Sequence, residues 1–142
     1  YSPRRQAGQH FEGKLIDFGL STEPSVEPMC PETRSGSPLF LAPEVVDYER
    51  PYGVKADVWA FGITLWSLFG NPLPGYENWA YHDLVCNLMT PKQNRRETAS
   101  AVGDLPGSDA DLDEVLKKCT MSDQYNRASA QDLASSNFFK TQ

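Results

Sequence analysis

Apolar residues follow two different rhythms along this chain. Between residues 56 and 69, Val58, Trp59, Phe61, Ile63, Leu65, Trp66, Leu68 and Phe69 cover nearly the whole circumference of a helix. That pattern predicts a helix buried on all sides. Asp57 lies at its start, where a carboxylate can cap free N–H groups and meet the positive end of the dipole. Gly62 in its middle costs about 1 kcal/mol against alanine, which points to close packing against another backbone. Between residues 111 and 119 the rhythm is cleaner. Leu112, Val115, Leu116 and Cys119 fall at helical spacing on one face, with acids first and Lys117 and Lys118 last, as the dipole prefers.

Weaker patterns fill in the rest. Residues 14–18 read as a short strand ending at a glycine turn. Pro24, Pro28 and Pro31 keep residues 21–37 out of helix and central strand. Residues 79–89 predict a further helix after a turn-rich stop at 70–75, and residues 92–108 a polar connection. Ser129 and Asp132 form a capping-box pattern that opens a last short helix, and Phe138 and Phe139 pin the C-terminus to the core. The expected architecture is mainly α, with one short β-element near Asp17.

Composition narrows the function classes. The 142 residues suffice for one domain or part of one. Apolar content of 39% supports a core, and no apolar run approaches the ~20 residues of a spanning helix. The net charge of −6 argues against nucleic-acid or membrane-surface binding. Cys30, Cys86 and Cys119 are far apart, lack metal-ligand spacing, and suit a reduced cytoplasmic setting. His10 and His82 are isolated and read as surface or packing residues.

The candidate chemistry starts at Asp17-Phe18-Gly19. Alone, a carboxylate at the end of a short apolar run is a strand-end turn. Glu44, closing Ala42-Pro43-Glu44, follows Asp17 by 27 positions, then come Asp57-Val58-Trp59 with Gly62, and then Arg127 just before the final helix. In this order and spacing the chain resembles the C-terminal lobe of Ser/Thr protein kinases, from residue 14 to 139. Residues 1–13 form a divergent polar segment.

The resemblance implies a role for each matching residue. Asp17 would bind the magnesium ion that bridges the ATP phosphates, with Phe18 packed beneath and Gly19 freeing the backbone. Residues 17–44 would be the activation segment. Ser37, within Gly36-Ser37-Pro38-Leu39-Phe40-Leu41, is similar to the hydroxyl that faces substrate and the catalytic aspartate in Ser/Thr kinases. Thr33, and after it Ser35, are the candidate phosphosites, the alternative being a merely solvated loop. Glu44 and Arg127 would form a buried ion pair, and Asp57 would accept hydrogen bonds from the catalytic-loop backbone, with capping as its plainer role.

The departures matter equally. No Asp or Asn precedes Asp17, so a catalytic-loop aspartate and its asparagine partner do not occur in this sequence, nor do the glycine-rich loop and strand lysine of the N-terminal lobe. The Asp-Pro usual before the arginine is replaced by Ser122-Asp123-Gln124-Tyr125-Asn126. The chain therefore reads as a kinase fragment whose N-terminal lobe and catalytic loop are absent. Its parent would use ATP and magnesium on a protein substrate, while the fragment alone would be inactive, with exposed apolar surface and poor solubility. The alternative is a non-catalytic interaction module or a pseudokinase remnant.

Overall fold

The structure is a computed structural model that describes residues 13–21, 23, 36–37, 40–46, 50–68 and 110–140. Within them the chain is mainly helical. Its elements are α1 (Pro43–Val46), α2 (Lys55–Leu68), α3 (Ala110–Cys119), α4 (Ala130–Ala134) and α5 (Asn137–Lys140). The helix expected over 79–89, the turn at 70–75, Cys30, Cys86, His10 and His82 lie outside the described residues.

The core forms where α2 meets α3. Val115, Leu116 and Cys119 are fully buried and Leu112 nearly so, the four positions singled out by the spacing of α3. They pack with Trp59, Ile63 and Trp66 of α2, with Ala42 and Val45 around α1, and with Leu133 of α4. Gly62 lets α2 and α3 approach closely. A Cβ at that position would lie 2.5 Å from Cys119 Cβ and 3.1 Å from Thr120 Cγ2. The close neighbour is thus a side chain at the end of α3 rather than a backbone.

Two expectations need correcting. First, α2 is not buried all round. Val58, Trp59, Gly62, Ile63, Leu65 and Trp66 are buried, whereas Asp57, Phe61, Thr64 and Leu68 fall on one face and are exposed. The described neighbours cover only one side of the helix. Second, residues 14–18 form no strand, and among the described residues no β-strand forms. A strand needs a neighbouring chain to complete its backbone ladder. Leu15 is 88% and Ile16 82% exposed, so no sheet packs on them here.

The C-terminal end closes by local hydrogen bonds. The Ser129 hydroxyl accepts from Asp132 N, and the Asp132 carboxylate accepts from Ser129 N, a complete capping box at the start of α4. One turn later the chain starts again as α5, so the expected last helix is two short ones. Phe138 and Phe139 pack edge to face at 5.0 Å, Phe139 lies 6.3 Å from Phe61, and both rest against the core.

Candidate functional site

The best-defined polar site is centred on Arg127, where the turn between α3 and α4 meets α1 and the start of α2. Its guanidinium is buried and every N–H finds an acceptor. Nη1 donates to Glu44 Oε1 at 2.6 Å and to the Lys55 carbonyl at 2.7 Å. Nη2 donates to Glu44 Oε2 at 3.0 Å and to the Met121 carbonyl at 2.9 Å, and Nε donates to that same carbonyl at 3.0 Å. The five donors of an arginine are thereby all used, two of them on one carboxylate in a bidentate pair. Trp59 lies beneath, its ring centroid 5.2 Å from the guanidinium carbon, a cation–π contact.

Local structure makes this geometry possible. Asp123 organises the turn, its carboxylate accepting from Tyr125 N and Asn126 Nδ2 while its carbonyl accepts from Arg127 N. Ala128 N donates to the Lys118 carbonyl, which ties the turn back to α3. Glu44 sits in the first turn of α1, 2% exposed, so the pair is formed away from water. Nearby, burial pushes the Cys119 thiol up to about 12 against the opposing pull of Arg127. That thiol stays protonated and serves as a small apolar packing group.

Asp17, Phe18 and Gly19 lie elsewhere, in an exposed stretch. Asp17 takes a left-handed backbone conformation, with φ of 64°. That region is uncommon for a residue with a side chain, and Asp is one of the few that tolerate it. The turn that follows is closed by Ser21, whose N–H and hydroxyl both donate to the Phe18 carbonyl. A Cβ at Gly19 would sit 3.5 Å from Asp17 Oδ1, an ordinary van der Waals contact. Among the described residues no group of three His, Cys, Asp or Glu side chains gathers to hold a metal. A single exposed carboxylate fits magnesium as one oxygen ligand, since this ion commonly takes its others from phosphates and water.

Ser37 is exposed and opens a turn in which its carbonyl accepts from Phe40 N at 2.9 Å. Gly36 before it has φ of 134°, a backbone conformation that favours glycine, and a Cβ there would press within 2.8 Å on Leu41 Cδ2, the flexible end of that side chain. Asp57 lies on the exposed face of α2, in its first turn. Thr33 and Ser35 lie outside the described residues. The structure therefore brings Glu44 and Arg127 together and leaves Asp17, Ser37 and Asp57 exposed to solvent. Sequence reasoning missed Lys55 and Gln124, which bond to backbone carbonyls 72 and 73 positions away. No periodicity links such positions, and a carbonyl acceptor leaves no mark on the sequence.

A family model described as protein kinase domain matches residues 6–139. Among curated proteins the chain is similar to the serine/threonine-protein kinase pakE of Dictyostelium discoideum, 33% identical over 129 residues, which cover 89% of this chain and 13% of that protein. It is similar also to the serine/threonine-protein kinase dst1 of the same organism, 32% identical over 130 residues, 92% of this chain and 17% of that protein. Over a shorter span it is 43% identical to the eye isozyme of protein kinase C of Drosophila melanogaster, across 61 residues that make up 43% of this chain and 9% of that one. The chain thus spans between 9% and 17% of the length of these relatives.

Proposed function

The chain belongs to the protein kinase domain family, and from that premise we propose that it is the C-terminal lobe of a Ser/Thr kinase, transferring the ATP γ-phosphoryl group to protein hydroxyls in the cytoplasm. The observation that carries this reading is the clasp between Glu44 and Arg127. It anchors the end of the stretch that begins at Asp17 onto the C-terminal helices. That is the arrangement an activation segment of residues 17–44 requires.

Each residue then takes a role consistent with its surroundings. Asp17 would hold magnesium together with the nucleotide phosphates, and the ion would neutralise charge on the transferred group. The exposed carboxylate of Asp17 is open to such a ligand. Phe18 would pack under the nucleotide site. Ser37, exposed on a turn next to Gly36, would face the protein substrate. Asp57 would receive backbone N–H groups on the uncovered face of α2, beside Phe61 and Leu68. Gly62 and the Glu44–Arg127 pair are structural. Thr33 and Ser35 would be regulatory phosphosites, since a phosphate adds about −1.5 to −2 of charge for an arginine to bind.

Phosphoryl transfer depends on several positioned groups at once. With no Asp or Asn ahead of Asp17, these 142 residues contain one metal ligand and no catalytic-loop base. By themselves they should transfer no phosphate above background. The test uses labelled ATP and a Ser/Thr peptide with a full-length polypeptide that carries this chain. The wild type should incorporate label, and Asp17→Asn should lose nearly all of it. Equal incorporation by both would remove Asp17 from the metal site. Activity on a Tyr peptide alone would refute the Ser/Thr assignment. An inactive wild type would favour the interaction-module or pseudokinase reading.

A further inference from the structure

The turn that follows Asp17 is closed on one carbonyl. Ser21 N donates to the Phe18 oxygen at 3.0 Å, and the Ser21 hydroxyl donates to that same oxygen at 2.6 Å. Both lone pairs of the oxygen are thereby engaged. Leu15, Ile16, Phe18 and Leu20 are exposed, so side-chain packing does not hold this stretch. Its backbone conformation depends on hydrogen bonds instead. A turn bond in the open competes with water, and the hydroxyl gives the Phe18 carbonyl a second local anchor.

Two observations couple this turn to Asp17. The carbonyl that Ser21 grips belongs to the next residue in the chain, and Asp17 itself holds φ of 64°. Such a conformation persists in a residue with a side chain only where the surrounding structure holds it. The carboxylate also lies against the turn. Asp17 Oδ1 is 3.5 Å from where a Cβ on Gly19 would stand, and Gly19 and Leu20 are the central residues of the turn that Ser21 closes. Opening the turn would swing the Phe18 carbonyl and Gly19, and the surface beside Oδ1 would move with them. We infer that Ser21 is a positioning residue for Asp17, whose double grip on the Phe18 carbonyl presets the direction in which the Asp17 carboxylate meets a divalent cation. Ser21 itself does not touch the ion. This inference rests on the reading of Asp17 as a magnesium ligand given above.

The test uses a full-length polypeptide carrying this chain, loaded with a non-hydrolysable ATP analogue. Manganese replaces magnesium, and its binding is read by electron paramagnetic resonance. Ser21→Ala removes the hydroxyl and should weaken manganese binding about threefold, equivalent to ~0.7 kcal/mol at 1.4 kcal/mol per decade. Ser21→Thr keeps the hydroxyl and should bind within about 1.5-fold of the wild type. Amide hydrogen exchange at Ser21 should quicken in the alanine variant and not in the threonine one. In the phosphorylation assay, the magnesium concentration for half-maximal rate should rise by the same factor in Ser21→Ala, while the peptide KM stays within about twofold. Ser21 is exposed, so neither variant should disturb the fold. Equal manganese affinity in the wild type and Ser21→Ala overturns the inference. So does a Ser21→Thr variant as weak as Ser21→Ala, or weaker binding without faster exchange at Ser21. A wild type whose manganese binding is indifferent to Asp17→Asn defeats the magnesium-ligand reading itself, a separate and recognisable failure that takes this inference with it.

Discussion

At Arg127 every side-chain donor is matched by an acceptor within this chain, and the residue is 1% exposed. At residues 13–21 the apolar side chains of Leu15, Ile16, Phe18 and Leu20 all stand in solvent. Both regions lie within residues 6–139, the span matched by the protein kinase domain model. They differ in where their partners come from. Arg127 is completed by Glu44, Lys55 and Met121, all within reach of helices that pack on one another. The stretch around Asp17 would need a neighbouring strand for its backbone and a surface for Leu15 and Ile16, and the described residues provide neither. A motif in a sequence identifies a role, but only the atoms around it supply the structure.

The contrast is broken most directly at Arg127. Arg127→Met should cost about 3–5 kcal/mol, because it leaves Glu44 buried with its main partner gone. Asp17→Asn, at an exposed position, should change stability by no more than about 0.5 kcal/mol. Urea unfolding of both variants reads the difference. Similar losses in the two would mean that the Asp17 stretch is packed after all, or that the ion pair contributes little.

Gly62→Ala comes next. Its methyl group would be placed 2.5 Å from Cys119 Cβ. Overpacking of this kind costs about 1–3 kcal/mol, against which about 1 kcal/mol of helix propensity is regained. Net destabilisation is expected, and Cys119→Ala should not relieve it because alanine keeps the offending Cβ. A variant as stable as the wild type would show that α2 and α3 do not meet this closely.

What the sequence revealed depended on how local the cause was. Leu112, Val115, Leu116 and Cys119 were legible because one helix face dictates their spacing. Ser129 and Asp132 were legible because a capping box spans four residues. Phe61 and Leu68 were misread as buried, since apolar character fixes what a residue can bury and not whether a neighbour arrives to cover it. Glu44 and Arg127 stand 83 positions apart, so only the likeness to a family suggested the pair. Lys55 and Gln124 were invisible because both bond to backbone carbonyls.

Ser129→Ala is a smaller perturbation, about 1 kcal/mol from the lost cap. It also has a pH signature. Hydrogen bonds from the Ser129 side chain and backbone hold the Asp132 carboxyl below its ordinary value of 3.8. A depressed carboxylate contributes stability that is fully present above its unfolded pKa and is lost as pH falls through the lowered folded one. The capped helix should therefore lose support on the acid side of pH 3.8. Asp132→Asn should remove that part of the acid dependence, and an unchanged acid limb would show that the box adds nothing measurable.

The smallest effect on stability belongs to the other side of the comparison and is the most telling. Leu15→Gln with Ile16→Gln exchanges two exposed apolar side chains for polar ones. Exposed side chains lose no buried area on substitution, so the unfolding free energy should move by less than about 0.5 kcal/mol. The same change removes apolar surface from contact with solvent, so binding of a hydrophobic dye and aggregation of the 142-residue chain should both fall. In a polypeptide that supplies a neighbouring strand for residues 14–18, these positions would become covered, and the double variant would then cost several kcal/mol. The same two substitutions thus distinguish an exposed tail from an unpartnered strand. A large loss of stability already in the 142-residue chain would mean that Leu15 and Ile16 are covered there, and the contrast with Arg127 would no longer hold.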